Sequence, residues 1–209
     1  MELQKQEIEK LSKVYKLNLI NSLTGIKPAN LIGTKSTEGV NNLAIFSSVV
    51  HLGSNPPLIG FILRPYSDVR RDTYENIKKN GFYTINHVPD SLTKNAHYTS
   101  AKFEHNESEF DFCGFTPENL EDFDAPFVLE SPIKIGLRFV EEVDIAINGT
   151  TMIIGEIEII QVQDDLIDEN GYLNLDTANV AGISGLNSYY SLKKIDSYPY
   201  ARRKEVPTF

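Results

Sequence analysis

A hairpin signal near residue 148 constrains the fold more than any other feature of the chain. The pair Asn148-Gly149 separates two segments, VDIAI and TTMIIGEIEII, in which apolar residues alternate with others. Asn-Gly is the pair most typical of tight hairpin turns, because both positions need a positive φ. The second segment is predicted to place isoleucines on one face and glutamates on the other: Ile153, Ile157 and Ile159 against Glu156 and Glu158. The sequence therefore predicts an antiparallel sheet with one face in water.

The rest of the chain consists of short apolar segments separated by turn residues and a few helical patterns. Strands are predicted at 15–23, 31–34, 42–50, 58–63 and 82–88, with a turn at 51–57. Helices are predicted at 2–14, 72–80 and 91–102, a loop at 104–111 and a helical turn at 117–124. This order lacks the regular βαβ alternation of a parallel sheet and favours a small antiparallel barrel with helical insertions. No linker interrupts it, which predicts one domain over 1–209, with a core at about 25–165 and a C-terminal extension at 166–209.

Charge and composition argue against several classes of function. The formal net charge of −9 disfavours DNA or RNA as a partner, because neutralising phosphates requires a basic face. No apolar run is long enough to span a bilayer, and the N-terminal segment lacks the apolar region of a signal peptide. We therefore expect a cytoplasmic protein without membrane contact. The single cysteine, Cys113, leaves no internal disulfide.

Signatures of the common catalytic and metal sites are absent from the sequence. The histidines, at positions 51, 87, 97 and 105, are scattered, and no two have metal-ligand spacing. No Gly-x-Gly-x-x-Gly, Walker or Gly-x-Ser-x-Gly motif occurs, which disfavours a Rossmann site, a P-loop and a serine hydrolase. We predict neither a metal site nor a catalytic side chain.

A helix at 72–80 is predicted by the residues at its two ends. Asp72 and Glu75 have the spacing of a capping box, and Asn80-Gly81 is typical of a helix stop. Arg70 and Arg71 precede this helix, and Thr73 lies in its first turn.

Free N–H groups at a helix start, together with a hydroxyl and two guanidinium groups, form a candidate anion site, and phosphate is the obvious anion. The alternative is an ordinary solvated helix start.

Three segments of the chain resemble a known family. They are GVNNLAIFSS, RDTYENIKKNGFYTINHV and HYTSAKFEHNESEFDFCGFT, the last with an S-E-F-D run at 108–111 that is similar to the S-x-E-F-D pattern. Together they resemble the flavin reductase-like proteins with the FMN-binding split-barrel fold, and they cover most of residues 30–160.

The resemblance implies a mainly β, antiparallel split barrel that is a homodimer with FMN near the subunit interface. It implies NADH or NADPH as hydride donor, with transfer from the nicotinamide C4 to flavin N5, and a small-molecule electron acceptor. FMN is expected rather than FAD, because one helix start offers no second pocket for an adenylate. The alternatives are an FMN-binding electron carrier without a dedicated hydride donor, and a divergent barrel that has lost flavin.

The resemblance also assigns site residues, since the serine position at the end of the first family segment lies against the flavin in this family. Without the resemblance, these serines would be ordinary hydroxyls at the end of a strand. Asn86 and His87 end a strand that points to the same region, and residues 97–102 form a polar cluster whose alternative is a solvated helix face. The predicted cofactor-binding residues are Asn42, Ser47, Ser48, Arg64, Arg71, Thr73, Asn86, His87, His97, Thr99, Ser100 and Lys102.

Overall fold

The computed structural model describes residues 1–65 and 71–208, and strands dominate it. The strands are β1 (Lys27–Pro28), β2 (Asn30–Lys35), β3 (Asn41–Phe46), β4 (Val50–Ser54), β5 (Pro57–Leu63), β6 (Phe82–His87), β7 (Pro117–Leu120), β8 (Phe123–Val128), β9 (Ile133–Ile145), β10 (Thr150–Val162), β11 (Ala181–Ser184) and β12 (Ser188–Ser191). Seven of them form one antiparallel sheet in the order β3, β2, β6, β9, β10, β5, β4. β1, β11 and β12 form a second sheet, and β7 and β8 form a separate hairpin.

The large sheet curls on itself, so that β3 at one edge approaches β5 near the other. The rings of Phe46 on β3 and Phe61 on β5 are 5.0 Å apart and meet edge to face. The interior is filled by apolar side chains of five strands and one helix: Ile32, Phe61, Leu63, Ile77, Tyr83, Ile85, Leu137 and Ile153. The predicted fold class is therefore confirmed: the protein is mainly β and antiparallel, and its sheet forms a barrel that no continuous ladder closes.

The described residues form five short α-helices. They are α1 (Lys5–Lys10), α2 (Lys13–Ser22), α3 (Asp72–Asn80), α4 (Thr93–Tyr98) and α5 (Glu109–Cys113). α4 and α5 cover the outer face of β2 and β3, where Leu31 and Leu43 pack with Ala96 and Phe110. No helix within the described residues is both long enough and apolar enough to cross a membrane.

The predicted hairpin around Asn148-Gly149 is confirmed. β9 and β10 pair in antiparallel register, and Gly149 has a φ of 69°. Arg138 on β9 donates to both Glu156 and Glu158, at 2.6 and 2.8 Å, which identifies the wet face of β10. Opposite that face Ile153 is fully buried, so the alternation of β10 is the one that the sequence indicates.

Three sequence predictions about the elements are wrong. Residues 15–23, predicted as a strand, lie mainly in α2, because the apolar residues that alternate there also recur at a helical spacing of three. Residues 117–124, predicted as a helical turn, form β7 and the start of β8, because Phe123 is buried against the barrel and tertiary pairing overrides local propensity. The predicted turn at 51–57 is largely β4, which pairs with β5.

Two further predictions need smaller corrections. The helix predicted at 91–102 is shorter, since α4 ends at Tyr98 after a 3₁₀ turn at Asp90–Leu92. The loop predicted at 104–111 contains the start of α5, whose Phe110 joins the core beneath β3.

Helix α3 has the predicted length but a different cap. It ends at Gly81 with a φ of 77°, as the Asn-Gly pair indicates. Its N-cap is Arg71, however, and no side chain caps it, so the predicted capping box of Asp72 and Glu75 is wrong. The carboxylate of Asp72 lies 2.8 Å from Nδ1 of His105. The predicted role of Arg70 lies outside the described residues.

Candidate functional site

The start of α3 presents a cationic side chain with an unused donor. Arg71 precedes the helix and is half-buried. Its Nε is buried and has no hydrogen-bond partner among the described residues. A buried N–H without a partner is costly, so this atom is a candidate donor to a group that the described residues do not supply. Because the first N–H groups of a helix also lack internal partners, both features favour an anion here.

A buried polar network connects this helix start to β3. Asn42 on β3 donates through Nδ2 to both oxygens of Glu109 on α5, at 2.9 and 2.8 Å. The hydroxyls of Thr34 and Thr73 donate to Oδ1 of Asn42, at 3.1 and 3.0 Å. Asn76 of α3 in turn donates to the Thr34 hydroxyl at 3.1 Å. Strand β2, strand β3, α3 and α5 therefore meet in one set of side-chain hydrogen bonds.

The carboxylate of Glu109 determines how the side-chain amide of Asn42 is oriented. A carboxylate only accepts hydrogen bonds, so the Asn42 NH₂ group must face Glu109 and its Oδ1 must face the two threonines. Thr73 is only 5% exposed, and its single hydroxyl proton is used by Asn42. In this arrangement Thr73 has its backbone N–H, but no hydroxyl proton, to offer an anion.

Glu109 is an unusual residue, because it is a carboxylate with only 7% of its surface exposed. Besides Asn42, it accepts the backbone N–H of Leu43 at 2.8 Å. That N–H lies on β3, the edge strand of the large sheet. Burial raises the pKa of Glu109 above its ordinary 4.5, although the donors from Leu43 and Asn42 act to lower it.

The two serines that follow β3 differ in their contacts. The Ser48 hydroxyl donates to the carbonyl of Ile62 and accepts its N–H, both at 3.1 Å. Ser48 therefore connects the end of β3 to β5, and its hydroxyl is already used both as a donor and as an acceptor. Ser47 is half-buried and has no hydrogen bond to a described residue. Of the two, Ser47 is the hydroxyl that can serve a ligand.

The residues predicted at the end of β6 are also divided. Asn86 is fully buried and makes hydrogen bonds to Leu31 and Thr84 and from the N–H of Val128, which join β6 to β2 and β8. These bonds occupy the amide of Asn86 in the fold. His87 lies at the end of the strand, half-buried, and burial lowers its pKa to about 4. Its imidazole is therefore neutral at neutral pH.

The polar side chains at positions 97, 99 and 100 already have hydrogen-bond partners within the protein. Nδ1 of His97 is 3.2 Å from the hydroxyl of Tyr189, and Thr99 and Ser100 donate to carbonyls at the end of α4. Lys102 is exposed. Arg64, also exposed, follows β5 next to the undescribed segment.

Asp72 of α3 contacts His105, which lies shortly after the polar cluster at 97–102 in the sequence. The described hydrogen bonds do not connect α3 to the cluster itself. The structure thus brings Asn42, Arg71 and Thr73 together and adds Glu109 and His105. The sequence analysis missed the last two, although Glu109 lies within the S-E-F-D run that it singled out.

Comparison with known proteins agrees with the fold. Residues 26–181 match the family model described as the flavin reductase like domain. Because that match covers most of the chain, the protein belongs to the flavin reductase-like family.

Solved structures extend this comparison. A split-barrel protein from Shewanella frigidimarina, a candidate flavin reductase, is 47% identical and superposes with a TM-score of 0.91, covering 96% of this chain and 100% of that one. Nitrilotriacetate monooxygenase component B from Bacillus cereus is 19% identical, with a TM-score of 0.83 over 95% and 98% of the two chains. Flavoredoxin of Desulfovibrio vulgaris is 22% identical, with a TM-score of 0.75 over 96% and 98%. The last two show the fold, and the family supports a flavin-related oxidoreductase function.

Proposed function

We propose that the protein binds FMN and reduces it with NADH or NADPH, passing the electrons to a small-molecule acceptor. The observation that carries the proposal is the buried, unpartnered Nε of Arg71 at the start of α3, in a chain of the flavin reductase-like family. One guanidinium and one helix start suit a single phosphate group, which favours FMN over the longer FAD.

The residues present fit such a cofactor. Arg71 and the backbone N–H of Thr73 at the start of α3 would hold the phosphate, and Ser47 would offer its hydroxyl to the flavin. When bound, FMN accepts a hydride from a reduced nicotinamide and delivers electrons onward, which is chemistry that no side chain of this site can perform. The protein's contribution is to bind and orient the two rings and to exclude water.

The test is reduction of the cofactor under anaerobic conditions. Protein loaded with FMN is mixed with NADH or NADPH, and the visible absorbance of the flavin is followed. Rapid bleaching by either nucleotide is the expected result. FMN binding without bleaching would contradict the reductase proposal and favour an electron carrier of the flavoredoxin kind. Absence of FMN binding would contradict both.

We also propose that the protein is a homodimer, because α2 has no buried residue although it is rich in apolar side chains. Val14, Leu17, Ile20 and Leu23 expose between 44% and 70% of their surface. A helix of ten residues gains most of its stability from packing, and the described residues bury none of the side chains of this helix fully. A second copy of the chain would cover this face, and the exposed Val50 and Leu52 of edge strand β4 offer further apolar surface.

Light scattering at micromolar concentration tests the assembly. A dimer mass for the wild type and a shift towards monomer for Leu17→Glu are expected. The matched control is Lys16→Glu, which introduces the same acid at a position that already carries a charged side chain. A monomeric wild type, with flavin present, would contradict the proposal.

A further inference from the structure

The buried carboxylate of Glu109 has no ion-pair partner among the described residues, so its burial requires a physical explanation. Glu109 satisfies its charge with three N–H contacts, two from the Asn42 amide and one from Leu43. Both donor nitrogens, Nδ2 of Asn42 and the backbone N of Leu43, belong to β3, whereas Glu109 itself belongs to α5. The carboxylate thus occupies the place that a further strand would take beside edge strand β3.

The consequence of these contacts reaches α3. Because Glu109 forces the Asn42 amide into one orientation, Oδ1 of Asn42 is turned towards the Thr73 hydroxyl, 3.0 Å away. Thr73 lies in the first turn of α3, directly after Arg71 and Asp72. Glu109 therefore acts on this first turn through one intermediate side chain, in addition to the electrostatic repulsion between its carboxylate and that of Asp72 in the same turn.

The same contacts hold the strand that leads to Ser47. β3 ends at Phe46, one residue before Ser47, and it is anchored at Asn42 and Leu43 by Glu109. One carboxylate is consequently connected to both segments to which we assign the cofactor, to β3 directly and to α3 through Asn42.

We infer that Glu109 is a positioning residue for the phosphate site, which it preorganises by fixing Asn42 and, through it, the first turn of α3 that carries Arg71. This inference rests on the proposed function in one respect, namely that the anion is the FMN phosphate. Preorganised groups bind more tightly because less ordering remains to be done on association.

Two substitutions interrupt the chain of contacts at different points. Thr73→Val removes the last hydrogen bond without changing shape or charge, and Glu109→Gln removes the accepting carboxylate. Each should weaken FMN binding by about tenfold, since each removes a buried hydrogen bond, and should leave riboflavin binding within about twofold. The double variant should bind FMN little worse than either single variant, because the two residues act along the same path. Asp111→Asn is the matched control: it removes a charge from the same helix at an exposed position and should change neither affinity.

Affinities are measured by calorimetry on the flavin-free full chain. Losses that add in the double variant would overturn the inference, as would equal losses for FMN and riboflavin, or unchanged or tighter FMN binding in either variant. If Glu109→Gln does not fold, Thr73→Val alone decides between these results, because it preserves the contacts of Glu109.

Hydrogen exchange of the flavin-free protein separates this inference from the proposed function. Faster exchange of the backbone amides of 75–77 is expected in both variants, since the Glu75 N–H closes the first turn onto the Arg71 carbonyl. Faster exchange of the Leu43 N–H is expected only in Glu109→Gln. If the wild type binds no flavin, the proposed function fails, and unchanged exchange at 75–77 would then overturn the positioning role by itself.

Discussion

The hydroxyl of Tyr83 lies against the backbone of Gly155, in the space that a β-carbon on residue 155 would occupy. Tyr83 on β6 is fully buried, and its hydroxyl has no hydrogen-bond partner among the described residues. Burial raises the pKa of this hydroxyl well above its ordinary 10, so it stays protonated. β10 shifts register at Gly155, and the glycine leaves room for the tyrosine inside the barrel.

Gly155→Ala should therefore destabilise the fold by about 1–3 kcal/mol, the usual cost of forcing an extra carbon into a packed core. Chemical denaturation measures the change. Adding Tyr83→Phe should recover part of the loss, because the nearest overlapping atom is the hydroxyl oxygen. A variant as stable as the wild type would show that the barrel wall moves freely at this position.

Tyr83→Phe alone should leave stability unchanged or raise it by about 1 kcal/mol, since a buried hydroxyl without a partner costs desolvation and returns no bond. The same denaturation experiment measures it. A clear loss of stability would mean that the hydroxyl has a partner, such as a bound water.

Arg71→Ala should weaken FMN binding at least tenfold, because a charge-assisted contact to phosphate contributes roughly 1.5–3 kcal/mol. Riboflavin, which has no phosphate, should bind almost as before. Raising the salt concentration should weaken binding of FMN more than that of riboflavin in the wild type.

Lys102→Ala is the informative comparison for that experiment. If it weakens FMN binding and Arg71→Ala does not, the phosphate lies at the polar cluster of residues 97–102 instead of at α3. Equal losses for FMN and riboflavin in Arg71→Ala would mean that Arg71 supports the ring or the fold.

His87 should make the fold sensitive to acid. Burial lowers its pKa to about 4 in the folded protein, against an ordinary 6.5 that applies when the chain unfolds. Between these values the unfolded chain binds the proton and the folded one does not. The contribution of His87 to the free energy of unfolding is therefore fully present above pH 6.5 and is lost as the pH drops towards 4. The loss should be about 3 kcal/mol.

Denaturation of flavin-free protein at a series of pH values tests the role of His87. His87→Gln should flatten the profile in this window. His51→Gln, at an exposed position on β4, should not. A profile that both substitutions leave unchanged would assign the acid sensitivity to other groups.

Features that depend on residues adjacent in the sequence could be predicted from the sequence. The Asn148-Gly149 turn and the end of α3 at Gly81 both occur where predicted, because each needs a positive φ that glycine accepts easily. The start of α3 was placed correctly but its cap was not. The Asp72 carboxylate instead contacts His105, which lies 33 positions away and which no local pattern indicates.

The site shows the same division. Arg71 and Thr73 were predicted from the chemistry of a helix start, and both lie there. Glu109 lies in an acidic segment that, by composition, belongs in water, and it is buried only because α5 packs beneath β3. Its contact with Asn42 spans 67 positions. Hydrophobic alternation and turn residues therefore indicated most strands of the barrel and the β9–β10 hairpin. The tertiary structure decided which polar side chains share a buried network, because only the packed barrel removes the water that would otherwise bind each of them.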